Sequence, residues 1–353
     1  MVRMAKVLIF SDLHIHAHKN SAARRDDCLK VLEWVFETAL ENNVESVIFA
    51  GDLFHDRQKI DLITYQLTFD IFKKYTYENK FDIFLLLGNH DLWFHEKCDV
   101  NSVAVFSELP NVTTVAYPAT YPIAGKQVAF LPYTHNPIED LKDLNGDILF
   151  SHLAIDGAIW NVMHGTQADV SIEHDGDMTK VGADIFNGWQ RVFLGHYHAE
   201  QKLSDTVEYV GSPLQLSFGE AFQHKHIIIY DTETDEREYV QNTFSPQHFI
   251  IPESDLDKYD LENNFIRVVV DDIGSSDLID IKKKITTKHN VGSLEIKQNP
   301  KEDSTHVIEE AKSILYKKEG MLEQYIKEVG SDGLDPDKLL QIGKQILNKA
   351  ENK

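Results

Sequence analysis

Five apolar runs in the first two hundred residues each end in a short cluster of Asp, His, Asn or Gly: VLIFSDLH at 7–14, SVIFAGDLFH at 46–55, DIFLLLGNHD at 82–91, DILFSH at 147–152 and RVFLGHYH at 191–198. Apolar runs of this length bounded by turn-forming residues predict buried strands. Between the first two, Leu29, Leu32, Val35, Phe36, Ala39 and Leu40 recur at three- and four-residue steps, which predicts a helix over 24–42. Leu62, Tyr65, Leu67, Phe69, Phe72 and Tyr75 mark a second helix between the next pair. Strands alternating with helices indicate an α/β fold with a largely parallel or mixed sheet, in which working residues gather beyond the carboxyl ends of the strands. The polar clusters stand at those ends.

Further along, residues 156–181 lack a clear period and are rich in Gly, Asp and His, so they read as a long excursion beside the fourth cluster. After Gly211 the pattern turns strand-like, in HIIIYD, REYVQN and HFIIP, and continues through FIRVVVDD, a helix over 277–288 and a strand at 292–297. Three domains are expected: 1–236, a small α+β domain at 237–298, and a helical tail at 304–353 set off by Asn299 and Pro300.

Composition narrows the class. The 353 residues carry 57 acidic against 35 basic side chains, a formal charge of −22, and are 42% hydrophobic. That much apolar content excludes an acidic disordered tail, and the charge argues against an autonomous nucleic-acid binder, because a phosphate polyanion needs a basic footprint. Bound metal ions can supply the missing positive charge locally. No apolar run reaches the roughly 18 residues that span a bilayer, and polar sequence interrupts the N-terminus before a signal-type segment forms. A soluble, cytoplasmic chain is expected. Cys28 and Cys98 are too few for a disulfide framework or thiolate site and read as reduced thiols.

The five clusters contain Asp12 and His14; Asp52 and His55; Asn89, His90 and Asp91; His152; and His196 and His198. Carboxylates, imidazoles and an amide suit divalent metals of hard to borderline character. So many donors exceed what one ion accepts, whereas two ions about 4 Å apart that share a carboxylate would use them. Read in order, D-x-H, G-D, G-N-H-D, H and G-H-x-H, the pattern resembles the calcineurin-like metallophosphoesterase superfamily over about residues 5–230. GDLFHDR lacks the following glycine of the phosphoprotein phosphatases, and GNHD has Asp where those have Glu. YVGSPLQLSFGE at 209–220 is similar instead to the Gly-Ser-Pro stretch of SbcD-type nuclease subunits of recombination and repair complexes, phage forms included.

The resemblance implies a metallophosphoesterase sandwich with a capping, DNA-binding α+β domain and a helical hairpin. It implies that Asp12, His14, Asp52 and His198 hold one metal and Asp52, Asn89, His152 and His196 the other, with Asp52 as bridge. The ions would be Mn²⁺, with Mg²⁺ as the alternative. His90 would contact the phosphate and assist the leaving group, Asp91 would orient His90, and His55 would lie near the DNA phosphate. The expected activity is DNA exonuclease and endonuclease hydrolysis within an ATP-dependent end-processing complex. Rival expectations are a cyclic-nucleotide phosphodiesterase or nucleotidase, and a non-catalytic DNA-end scaffold.

Two partner surfaces are expected. In the tail, an apolar stripe that includes Ile314, Leu322, Ile326, Leu340 and Ile346 would dock an SbcC-type, SMC-like ATPase, from which the acidic chain would borrow DNA affinity. The stretch 62–75, together with Val103, Val105, Phe106 and Leu109, would pair two copies into a homodimer facing one DNA end.

Overall fold

The computed structural model describes residues 5–15, 21–78, 81–94, 97–158, 181–271 and 274–298, together with Lys338 and Leu340. Strand β1 (Lys6–Phe10) leads to helix α1 (Ala22–Glu41), β2 (Ser46–Phe49), α2 (Leu62–Glu78) and β3 (Asp82–Leu86). A small hairpin follows, β4 (Leu92–Phe94) and β5 (Lys97–Asn101), then β6 (Val112–Val115), β7 (Ala119–Ile123), β8 (Lys126–Leu131), the short α3 (Pro137–Leu141) and β9 (Ile148–His152). After it come β10 (Arg191–Gly195), β11 (Gln201–Lys202), β12 (Val207–Tyr209), β13 (His226–Asp231) and β14 (Arg237–Gln241). The described chain closes with β15 (His248–Pro252), β16 (Phe265–Val270), α4 (Ser275–Lys288) and β17 (Ser293–Gln298).

Two six-stranded sheets form the first unit, in the orders β14-β13-β1-β2-β3-β6 and β11-β12-β10-β9-β8-β7. β1, β2, β3 and β6 run parallel, as do β8, β9, β10 and β12, while β13, β14, β7 and β11 join antiparallel. Alternation along each strand divides the core. Val7, Ile9, Ile48, Phe84 and Leu86 pack with Val128, Phe130, Ile148, Phe150 and Phe193 between the sheets. Their neighbours Leu8, Phe10, Val47, Phe49, Ile83 and Leu85 face the other way and are covered by α1 and α2 through Leu32, Val35, Phe36 and Phe72. The outer face of the second sheet, including Leu131, Leu149 and Leu194, closes over Phe186 and Leu153. Strands buried on both faces are therefore near-continuous apolar runs. This is why the five runs are so conspicuous in the sequence.

Local signals fix the helices. Asp61 accepts hydrogen bonds from the backbone and hydroxyl of Thr64 (3.1 and 2.9 Å) at the start of α2. α1 ends where Asn43 adopts a left-handed conformation (φ 49°). Within unit one the helices meet through aromatic rings, Phe36 lying 5.2 Å from Phe72 and 5.0 Å from Tyr75.

Residues 237–241 depart from the expected domain layout. They form β14, the edge of the first sheet, paired with β13 from His226↔Gln241 to Tyr230↔Arg237. The strand's polar edge, Arg237, Glu238 and Gln241, obscured its membership in sequence. The first unit accordingly runs to Ile250 and includes 260–267 and 290–293, while the second comprises, among the described residues, 251–259, 268–289 and 294–298. The second unit holds α4, with buried Ile281 and Ile285, and ion pairs Lys288–Asp257 (2.7 Å) and Lys284–Glu253 (3.8 Å). A three-stranded sheet, β15-β16-β17, runs through this part of the chain. Among the described residues no helix is long and apolar enough to cross a membrane. The tail residues Ile314, Leu322, Ile326 and Ile346 lie outside the described residues; Leu340 is helical and half-buried.

His226, at the start of β13, yields a test of the packing. Burial, reinforced by the neighbouring Lys225 cation, lowers its pKa to about 4. An unfolded chain would bind a proton there near the ordinary value of about 6.5. The unfolded state thus binds more protons between these values, so this group's contribution is complete above about pH 6.5 and is lost as the pH falls toward 4. His226→Phe should remove a pH-dependent component of about 3 kcal/mol from urea unfolding over that window. Parallel acid profiles for the two proteins would contradict the assignment.

Candidate metal centre

The carboxyl ends of β1 and β2 are joined by backbone hydrogen bonds, Asp12 N to Gly51 O (2.9 Å), His14 N to Asp52 O (3.0 Å) and Ile15 N to Leu53 O (2.8 Å). This zipper leaves Asp12, His14 and Asp52 with φ of 52°, 44° and 63°, and His196 after β10 has φ 106°. Left-handed backbone at non-glycine residues is uncommon and costs free energy. Four such residues in one cluster are held there by the strands on either side. At Gly51 (φ 106°) a Cβ would lie 2.3 Å from the His152 ring and 2.9 Å from the Gly88 backbone, so only glycine lets the second and third strand ends approach.

Side chains converge over this floor. Asp52 Oδ2 lies 3.5 Å from His14 Nε2 and 3.3 Å from His152 Nε2. His14 Nε2 is 3.2 Å from His198 Nε2 and 3.8 Å from Asp12 Oδ1. Asn89 Oδ1 sits 3.1 Å from His152 Nε2 and 3.2 Å from His196 Nδ1. Asp12, His14 and His198, and separately Asp12, Asp52 and His152, bring ligand-type atoms within 4.8 Å of one another, as do His14, His55 and His90. All seven sequence-predicted ligands are therefore in one cluster. His135 stands apart, against the Tyr133 ring, and His16, His18, His95, His164 and His174 lie outside the described residues.

The electrostatics suit a cation. Burial drives His196 down to about 3, with His152 adding to the effect, and drives His55 to about 4, with His90 adding. Burial also holds His14 well below the ordinary imidazole range. These rings are neutral and present lone pairs. Burial opposes charge on His152 too, yet the facing Asp52 and Asp12 carboxylates overcome it and raise its pKa to about 9. The field at that point favours positive charge. The donor set fits a divalent metal by the same measure: imidazole nitrogens, carboxylates and an amide oxygen aim at shared space, and the far nitrogen of His152 is oriented by the Ala50 carbonyl (2.8 Å).

Asp91 and His90 sit differently from expectation. The Asp91 carboxylate accepts from the backbone of Asp52 (2.8 Å), Leu53 (3.1 Å) and Gly88 (2.9 Å) and from the Ser102 hydroxyl (3.2 Å). It braces the strand ends rather than His90. Burial, with Asp52 nearby, raises its pKa to about 6. His90 Nδ1 instead meets the backbone carbonyl of His55 at 2.6 Å, and the His90 backbone N–H donates to Asp52 Oδ1 at 2.8 Å. The buried amides left by a tight strand-end turn attract Asp91 more strongly than a half-exposed ring. Sequence reasoning also passed over Glu220, which contacts His198 Nδ1 at 3.0 Å and whose signal was its place at the end of YVGSPLQLSFGE.

Residues 5–200 match the family model for calcineurin-like phosphoesterases. The chain belongs to that family. This phosphoesterase is 22% identical over 271 residues to exonuclease subunit 1 of Enterobacteria phage T4, covering 76% of this chain and 77% of that one. It is 25% identical over 287 residues to the SbcD component of the nuclease SbcCD from Escherichia coli K12, covering 68% of each. It is also 26% identical over 207 residues to the DNA double-strand break repair protein Mre11 of Aeropyrum pernix, covering 56% of this chain and 49% of that one. The family's fold, an α/β sandwich that uses divalent metals, accords with the two sheets and the donor cluster.

Gly51→Ala tests the close approach of the strand ends. The added methyl meets backbone at a positive φ, so a destabilisation of about 2 kcal/mol or more and reduced metal content are expected, read by urea unfolding and elemental analysis. Parent-like values in both would show that this contact is not required.

Proposed function

We propose that the chain is a two-metal DNA nuclease, with exonuclease and endonuclease action, that serves as the nuclease subunit of an ATP-dependent end-processing complex. The observation that carries the reading is Asp52, whose single Oδ2 faces His14 of one donor group and His152 of the other. A carboxylate can join two cations, whereas an imidazole or amide serves one. On this reading Asp12, His14, Asp52 and His198 hold one ion, and Asp52, Asn89, His152 and His196 hold the other. The ions, Mn²⁺ in this proposal and Mg²⁺ as the alternative, supply Lewis-acid stabilisation of the phosphate and a nucleophile at neutral pH.

The chain's own groups do the rest. His55 O fixes a proton on His90 Nδ1, which leaves Nε2 as the atom that serves the phosphate and the leaving oxygen. Asp91 acts by holding Asp52 and Leu53 in place. His55, whose ring stacks 5.8 Å from His90, borders the phosphate. DNA as substrate is supported by the names of the relatives: an exonuclease subunit, a nuclease component and a break-repair protein. A cytoplasmic setting in a bacterium or phage-infected host is proposed on the same likeness.

With a charge of −22, the chain would take DNA affinity in good part from an SbcC-type, SMC-like ATPase docked on residues 304–353, and from the DNA-binding role proposed for the smaller α+β unit. A homodimer is proposed through α2. Phe72, Tyr75, Val103, Phe106 and Leu109 are core residues, but Leu62 is 79% exposed and Ile63, Leu67 and Val105 (41%) also reach solvent. Those four are the side chains a second copy would cover.

Two experiments decide. Linear single- and double-stranded DNA is incubated with the chain in Mn²⁺, Mg²⁺ or chelator. His90→Asn should keep both ions while its rate drops about 10²- to 10⁴-fold. Lost metal in that variant, or no cutting by the parent in either ion, contradicts the reading. Truncation after Pro300 should keep Mn²⁺-dependent cutting of short single strands and abolish ATPase association. A truncated chain that aggregates or loses its metal would place the tail in the catalytic core.

A further inference from the structure

Behind the His196–His198 turn lies a buried charged network that the proposed chemistry does not yet use. Glu220 is 4% exposed and Lys225 6% exposed. Glu220 Oε1 meets His198 Nδ1 at 3.0 Å, while Oε2 accepts from Lys225 Nζ (2.7 Å), the Leu216 backbone (3.1 Å) and the Ser212 hydroxyl (3.3 Å). Lys225 Nζ also donates to the His198 carbonyl (2.7 Å) and Ser212 Oγ (3.0 Å), and Ser212 N donates to that same carbonyl (3.1 Å). Gly211, at φ 75°, lets this turn pass beneath His198, since a Cβ there would lie 3.1 Å from the His198 oxygen. Ring and main chain of one histidine are thus gripped by a single Glu–Lys pair.

Building on the two-metal reading, we infer that Glu220 is a positioning residue for the metal site, fixing His198 as the Nδ1–H tautomer so that its Nε2 lone pair faces His14 and the cation. Only a ring protonated on Nδ1 donates to Glu220 and leaves Nε2 as a ligand, and Nε2 lies 3.2 Å from His14 Nε2. The opposite tautomer would put a proton where the ion belongs. Lys225 compensates the buried carboxylate and secures the His198 main chain. A neutral acceptor such as a backbone carbonyl could orient the ring; a carboxylate also makes the imidazole a better donor. Buried charge pairs are weak contributors to stability, and an apolar pair of similar volume often replaces them without loss. A purely structural role and a positioning role therefore separate experimentally.

The test uses the full chain and Mn²⁺ titrations followed by calorimetry and electron paramagnetic resonance. Glu220→Leu combined with Lys225→Met removes the grip while keeping bulk. We expect its unfolding midpoint to stay near the parent's, one ion to bind as before, and the other to weaken by about 10- to 100-fold. Glu220→Gln, which retains an oxygen acceptor, should recover most of that affinity. In Zn²⁺-loaded parent protein, ¹⁵N–¹H correlation spectra should show His198 as the Nδ1–H form. A stable double variant that binds both ions like the parent overturns the inference, as does an Nε2–H signature in the parent even if the double variant fails to fold. A parent that binds fewer than two Mn²⁺ instead removes the two-metal reading on which the inference rests.

Discussion

Asp12 and Asp52 are wholly buried within one cluster of imidazoles, and the surrounding structure exists to hold them there. Burial raises the pKa of Asp12, and Asp52 nearby adds to this. Asp52 is held well below the ordinary range, because His152 and His90 outweigh the burial that would raise it. Two carboxylates in a low-dielectric site repel, and each needs compensating positive charge and hydrogen bonds. His152, drawn to a pKa of about 9, and the backbone amides of His90 and His196 provide that compensation from the protein side. Divalent cations would supply far more.

The two sheets make this placement feasible. Parallel strands deliver their carboxyl ends to one edge, so turns distant in sequence arrive side by side without long loops. Both faces of each central strand are packed with aliphatic and aromatic side chains. That rigidity lets the backbone hold left-handed conformations at Asp12, His14, Asp52 and His196, each of which aims a donor that a relaxed turn would direct elsewhere. Asp91 serves the same end by collecting three backbone amides under the site. Around this floor runs a second layer, the Ala50 carbonyl on His152, the His55 carbonyl on His90 and Glu220 on His198. Each engages one ring nitrogen of its histidine and so fixes how the ring is turned.

Much of this was legible in the amino-acid order, for a specific reason. Strands buried on both faces must be continuously apolar, and donors at their ends must be Asp, His or Asn, so VLIFSDLH and DIFLLLGNHD announce both the element and its cargo. The helix over Ala22–Glu41 likewise follows from its period. Strands with a mixed pattern were harder to read. β14, none of whose residues is fully buried, carries no such announcement, and only its ladder to β13 shows that it completes the first sheet.

Hydrogen-bond partners were decided by tertiary structure alone. The family resemblance suggested that Asp91 orients His90, but the turn at Gly88–Asp91 directs the carboxylate back onto the buried amides of Gly88 and Asp52. Glu220 lies 22 residues from His198 and meets it only because the Gly211–Ser212 turn folds beneath the ring. The exposed face of α2 is a similar case: its period predicts one apolar side, and packing alone determines that Phe72 is covered while Leu62 is not. Sequence by itself determined which donor-type residues stand at the strand ends, because donor type and strand burial are properties of composition along the chain. Which donor meets which partner depended on distances between strand ends, and those are set by the sheets.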